Sequence, residues 1–146
     1  MESRDTMLKN IPSNLSPELF QNMMKMGHGD TILLADANYP AHKFNKNVIR
    51  ADGLNIPELL ESILKFLPLD TYSDYQVQLM KVVEGDDVVP VIWEDYKEII
   101  GRYEDQFKVE EIERFDFYEM SKSCSCIVLT SEKALYGNIM ITKGVL

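Results

Sequence analysis

Apolar positions along the chain come in two alternating kinds of run, and the alternation predicts the fold. Ser16-Pro17-Glu18 opens a helix: Ser caps, Pro suits the first turn, and Glu faces the positive end of the helix dipole. Leu19, Phe20, Met23, Met24 and Met26 continue it and Gly27 stops it, so the methionine-rich stripe reads as core packing. Thr31-Ile32-Leu33-Leu34-Ala35 is an apolar run of strand length, and Asp36 to Pro40 reads as a loop. A second strand is predicted over residues 48–51, with a turn at Asp52-Gly53. Pro57-Glu58 starts a helix that carries Leu59, Leu60, Ile63, Leu64 and Leu67 at helical spacing before Pro68.

Residues 75–83 are rich in β-formers and read as a strand. Residues 90–103 place Ile92, Trp93, Tyr96, Ile99, Ile100 and Tyr103 on one helical stripe, with Trp93 as a core anchor. The last third reads as a strand over 111–115, a short helical or irregular piece over 117–122, and strands over 124–130 and 138–142. Strands alternating with helices predict an α/β fold whose central sheet is mixed, at least partly parallel, and flanked by helices.

A length of 146 residues, 45% hydrophobic and 27% charged, fits one globular domain with a buried core. The formal charge of -9 sets Coulomb repulsion against binding to nucleic acid or an anionic membrane and leaves a small neutral ligand as the easier partner. No apolar run approaches the ~18 residues needed to span a bilayer, and residues 1–7 are not followed by a signal-like stretch, so a cytoplasmic protein is expected. Cys124 and Cys126, at i and i+2, read as two reduced thiols sharing one face of a strand. A metal site joining them to His28 or His42 lacks ligands at a recognised spacing, so no metal is expected.

Three places can carry chemistry. Gly27-His28-Gly29-Asp30 sets an imidazole between two glycines at a helix end; the competing reading is a surface turn. Asp36 stands where an apolar strand ends, which is where open α/β sheets bind ligands, although any strand can end in a polar turn. Tyr136-Gly137-Asn138 precedes the last strand and offers a phenol, a position without a Cβ and an amide, or else is simply a turn. Arg114 and Tyr118 flank an aromatic cluster, either facing a ligand or ending a half-buried strand.

The segments Met26-Gly27-His28-Gly29-Asp30, Asp36-Ala37-Asn38-Tyr39-Pro40-Ala41, Val48-Ile49-Arg50-Ala51-Asp52-Gly53, Arg114-Phe115-Asp116-Phe117-Tyr118-Glu119, Tyr136-Gly137-Asn138-Ile139 and Lys143-Gly144-Val145 follow one another in a distinctive order. In this order they resemble the fucose branch of the ribose pyranase and fucose mutarotase family, from about residue 7 to the C-terminus, with residues 1–6 left as a loose extension. In ribose pyranases a Thr follows the His, a second His stands at the position of Tyr118, and Ala lies between the Tyr and the Asn. Gly29, Tyr118 and Gly137 therefore favour the fucose branch, while Asn38 departs from the His of some of its members.

The resemblance implies a decameric toroid of α/β subunits with each sugar site at a contact between neighbours. It implies His28 as the proton-transferring group, with Asp36, Arg114, Tyr118, Tyr136, Gly137 and Asn138 around the sugar. The implied activity is interconversion of the α and β anomers of L-fucose. That reaction is proton traffic during ring opening and closure, which acid-base groups perform without a metal or organic cofactor. Pyranose–furanose conversion of ribose and non-catalytic sugar binding are the competing expectations.

Overall fold

The computed structural model describes residues 6–146. Of the loose extension expected over residues 1–6, only Thr6 falls within that range, and the rest of that expectation lies outside the described residues. The elements in chain order are β1 (Thr6–Leu8), β2 (Ile11–Pro12), α1 (Pro17–Lys25), β3 (Thr31–Ala35), α2 (Ala41–Phe44), β4 (Val48–Ala51), α3 (Ile56–Leu64), β5 (Val77–Met80), α4 (Ile92–Gly101), β6 (Val109–Ile112), α5 (Arg114–Ser121), β7 (Cys126–Thr130) and β8 (Ile139–Thr142).

β1 and β2 form a small hairpin, and the other six strands form one sheet in the order β4-β7-β3-β8-β5-β6. β4, β7 and β3 are parallel, as are β5 and β6, while β8 runs antiparallel between β3 and β5. The sheet is therefore mixed, as the sequence predicts. Both faces are covered, which is why β3 and β7 read as unbroken apolar runs instead of alternating ones. Ile32, Leu34, Cys126, Val128, Ile139 and Ile141 pack toward α1, α3 and α4. Leu33, Ala35, Ile127, Leu129 and Met140 pack on the other side, with Ala41 of α2 and Phe117 of α5.

The ends of α1 follow its sequence. Ser16 accepts the Leu19 N–H through its side chain, Pro17 opens the first turn, and Met23 and Met26 are buried while Met24 faces solvent. α3 opens with no capping side chain of its own, and Glu132, 76 positions away, accepts the Ile56 N–H at 3.1 Å. Trp93 is buried as a core anchor and also donates through Nε1 to the Tyr136 carbonyl at 2.8 Å.

Two expectations are corrected. The strand expected over 111–115 starts earlier and ends sooner: β6 runs Val109–Ile112, and Glu113 caps α5 by accepting the Phe115 and Asp116 N–H groups, so Arg114 and Phe115 are helical. A side-chain oxygen three residues before Asp116 is a helix start, and it outweighs the β-propensity of the aromatic residues. Residues 41–44, just beyond the loop that ends at Pro40, form the short helix α2. Cys124 lies before β7 and joins the core on the face opposite Cys126, so the two free thiols do not share a side.

Candidate active site

Because β8 is antiparallel within an otherwise parallel sheet, its first residues sit at the carboxyl ends of its neighbours, the edge where open α/β sheets bind ligands. Asp36 follows β3 and Asn138 precedes β8, and the Asp36 N–H donates to Asn138 Oδ1 at 2.7 Å. That bond assigns the amide orientation and leaves Nδ2 as the donor end. Asp36 Oδ1 accepts the Asn38 N–H at 2.9 Å in a turn of the side chain onto its own backbone. Burial raises the Asp36 carboxyl above its usual value; hydrogen bonds from Asn38, Asn138 and Tyr39 pull it down, and the charge of Glu132 adds to the rise.

Tyr136 holds a left-handed backbone, φ 60, which an L side chain adopts only under restraint. The restraint is two buried donors from α4: Trp93 on the Tyr136 carbonyl and Tyr96 Oη on the Gly137 carbonyl at 2.7 Å. Gly137 is required by space, since a Cβ there would lie 2.9 Å from the Ala134 carbonyl. Glu132 joins the loops together. Its carboxylate accepts from Ile56, Lys133 and Ala134, and its carbonyl accepts from Ala37 beside Asp36. The Tyr136 hydroxyl donates to Asp86 Oδ2 at 2.7 Å.

Arg114 starts α5 at the same edge, just after β6, with its guanidinium 4.5 Å from the Phe115 ring centroid. Its Nε is buried with no hydrogen-bond partner among the described residues, a donor available to an outside oxygen. Tyr118 lies one turn further along α5, stacked on Phe44 at 5.0 Å and edge-on to Tyr39 at 5.3 Å. Asp36, Arg114, Tyr136, Gly137 and Asn138 thus belong to one edge of the sheet, with Tyr118 on the helix that flanks it.

His28 does not join them within one chain. It precedes β3 while Asp36 follows it, and at about 3.3 Å per residue the ends of this five-residue strand alone are roughly 13 Å apart. On its own edge, His28 Nε2 is 2.9 Å from Oδ1 of the buried Asp70, which also accepts the Tyr72 N–H at 2.9 Å. The Tyr72 ring stands edge-on to the imidazole at 5.4 Å. The hydrogen bond with His28 lowers the Asp70 carboxyl below its usual value, with help from the Tyr72 N–H. A carboxylate on Nε2 favours the Nε2–H tautomer and leaves the Nδ1 lone pair free to take a proton. Asp70 is kept close by the Gly144 N–H donating to Pro68, where a Cβ on Gly144 would collide with the Leu69 carbonyl.

Sequence reading missed Asp70, Asp86 and Glu132, which lie outside every quoted motif. The only signal for Asp70 is a lone carboxylate closing an apolar run just after Pro68, which any surface turn shares.

Residues 9–146 match the model of the RbsD / FucU transport protein family. The chain belongs to that family. Among its relatives, the chain is similar to a fucose mutarotase of Homo sapiens, 46% identical over 95% of this chain and 94% of the relative. It is also similar to the crystal structure of a fucose mutarotase from Streptococcus pneumoniae in complex with L-fucose. That match has 51% identity and a TM-score of 0.91, covering 95% of this chain and 99% of the other. The structure of Bacillus subtilis RbsD with D-ribose matches at a TM-score of 0.69 and 17% identity, over 90% of this chain and 95% of that one, and shares the fold.

Proposed function

We propose that this chain is a fucose mutarotase, an isomerase that interconverts the α and β anomers of L-fucose by opening and closing the pyranose ring. One observation carries the reading: Asp36, Arg114, Tyr136 and Asn138 gather at one sheet edge in a fold matching, at a TM-score of 0.91 and 51% identity, a fucose mutarotase in complex with L-fucose. A sugar offers both hydroxyl donors and oxygen acceptors. Arg114 and Asn138 Nδ2 supply donors to it, and the Asp36 carboxylate supplies an acceptor.

Ring opening removes the anomeric hydroxyl proton and delivers one to the ring oxygen; the aldehyde then rotates and closes on its other face. His28 is the proton-transferring group, acting through Nδ1 while Asp70 holds Nε2–H. Since His28 and the Asp36 edge lie at opposite ends of β3, a complete site takes the His28 edge of one copy and the Asp36 edge of another. This supports assembly into a ring, for which the decameric toroid is our reading, and a cytoplasmic location suits an enzyme of free monosaccharides. General acid-base catalysis of this kind supplies about 10²–10⁴-fold and needs no cofactor.

Ribose pyranase chemistry is the second reading, and Gly137 weighs against it, because the Ala of the ribose pattern would put its Cβ 2.9 Å from the Ala134 carbonyl. The test is saturation-transfer NMR between the anomers of L-fucose, with D-ribose alongside. Exchange of L-fucose anomers faster with protein than without supports the proposal. Exchange at the spontaneous rate despite saturable L-fucose binding would overturn it in favour of a binding module.

A further inference from the structure

On the reading above, Tyr136 faces the sugar, yet its hydroxyl is already committed. Oη donates to Asp86 Oδ2 at 2.7 Å and receives the Val83 N–H at 3.3 Å. Both partners belong to one hydrogen-bonded turn. Asp86 Oδ1 accepts the Val88 N–H at 3.1 Å and the Asp86 N–H closes a turn on the Val83 carbonyl at 3.0 Å, so Oδ2 is the oxygen left for Tyr136. The Tyr136 backbone is fixed from the other side by Trp93 and, through Gly137, by Tyr96.

A phenol carries a single hydrogen, and here it points at a carboxylate. We propose that Asp86 is a positioning residue that sets the hydrogen-bond polarity of Tyr136, so that a sugar meeting Oη must present a hydroxyl that donates. An ether or carbonyl oxygen at that place meets lone pairs and is rejected. Asp86 thereby gives the site a neutral acceptor beside donor-only Arg114 and the Nδ2 end of Asn138. The same bond, ahead of burial, raises the phenol above its ordinary range, which suits Tyr136 to binding and not to proton relay.

The test is a double-mutant cycle on the full-length chain, read as KM and kcat for L-fucose anomer exchange, and it rests on the mutarotase reading. Asp86→Ala should raise KM about tenfold and leave kcat within about twofold, as loss of one charge-assisted hydrogen bond used in binding predicts. Asp86→Asn keeps an oxygen that accepts from Tyr136, and should fall between Asp86→Ala and the unaltered chain. Tyr136→Phe should raise KM similarly, and Asp86→Ala added to Tyr136→Phe should change nothing more, because Asp86 acts only through that hydroxyl. An Asp86→Ala effect of equal size in both backgrounds would make Asp86 a structural loop residue and overturn the proposal. So would an unchanged KM, or a loss confined to kcat. An unaltered chain that binds L-fucose without speeding exchange overturns the mutarotase reading alone; the cycle is then run on L-fucose affinity by calorimetry, where the same results decide. A chain that does neither overturns both.

Discussion

Asn138 Oδ1 accepts the backbone N–H of Asp36 at 2.7 Å, joining positions 102 residues apart, and both side chains are buried. The bond exists because β8 lies antiparallel beside β3, so that the start of one strand meets the end of the other. Burial, the largest cause, sets the Asp36 value in the folded chain above the 3.8 of the free carboxyl. A raised carboxyl is easier to protonate folded than unfolded, so its contribution to stability declines as pH rises through the folded value. Asp36→Asn should therefore flatten that part of the stability-against-pH curve. Asn138→Asp should steepen it, because a second carboxylate beside Asp36 adds like-charge repulsion. Denaturant melts of the three chains at several pH values check both slopes.

Gly137→Ala tests the space beneath the loop. The added Cβ meets a backbone carbonyl, which cannot rotate away as a flexible side chain would, and the Tyr96 hydroxyl lies 3.4 Å from the same point. The expected cost is about 1–3 kcal/mol by overpacking, together with weaker L-fucose binding as Tyr136 and Asn138 are pushed off position. Thermal unfolding reads the first and calorimetry the second. Normal affinity in a folded variant would remove Gly137 from the sugar site.

His28→Ala should keep its fold and assembly while anomer exchange falls by about 10²–10⁴-fold, and His28→Asn should not restore it, since an amide cannot take up a proton. Asp70 sharpens this prediction. Its carboxyl lies below the ordinary value, chiefly through His28, so the pair adds stability above the unfolded value of 3.8 that is lost as acid protonates the carboxyl. Asp70→Asn should remove that acid-side loss and lower exchange without unfolding the chain. His42→Ala on α2 is the control, because His42 is exposed and outside every element of the site. Near-normal exchange in His28→Ala would force the proton transfer onto other groups.

The sequence carries the strands that are buried on both faces and the helices with ordinary caps, because those patterns are local. α1 shows this from Ser16 to Gly27, and β3 from its five apolar residues. Arg114 shows the limit: an aromatic-rich segment looks like a strand unless Glu113 is recognised as a cap, and a cap depends on where its side chain turns. Of the site, Asp36, Asn138 and Tyr136 are legible as polar residues at strand ends. Asp70, Asp86 and Glu132 are not, since each acts on a residue at least 42 positions away and nothing in its own neighbourhood marks the pairing.

Cys124 and Cys126 should be silent in catalysis. Burial raises their thiols to about 11 and about 12, so little thiolate exists near neutral pH and neither should be alkylated readily in the folded chain. The doubly substituted chain, Cys124→Ser with Cys126→Ser, should lose stability, most of it at Cys126, which is 0% exposed between strands. Anomer exchange in that folded variant should match the unaltered chain. Rapid labelling of the native protein by a thiol reagent would contradict the burial argument.

Complementation between two inactive chains separates a shared site from a private one. If His28 and the Asp36 edge serve one sugar from different copies, a His28→Ala chain still offers an intact Asp36 edge, and an Asp36→Asn chain still offers an intact His28 edge. Coexpressed in equal amounts and mixed at random in a closed ring, they should form roughly one quarter of sites with both edges unaltered. Exchange should then recover toward a quarter of the normal rate per chain, though each variant alone is nearly inactive. Light scattering on the same samples should give a mass well above a dimer. No recovery in a verified mixed oligomer would require His28 and Asp36 to act on one sugar from a single chain, and β3, whose length separates them, would have to rearrange to allow it.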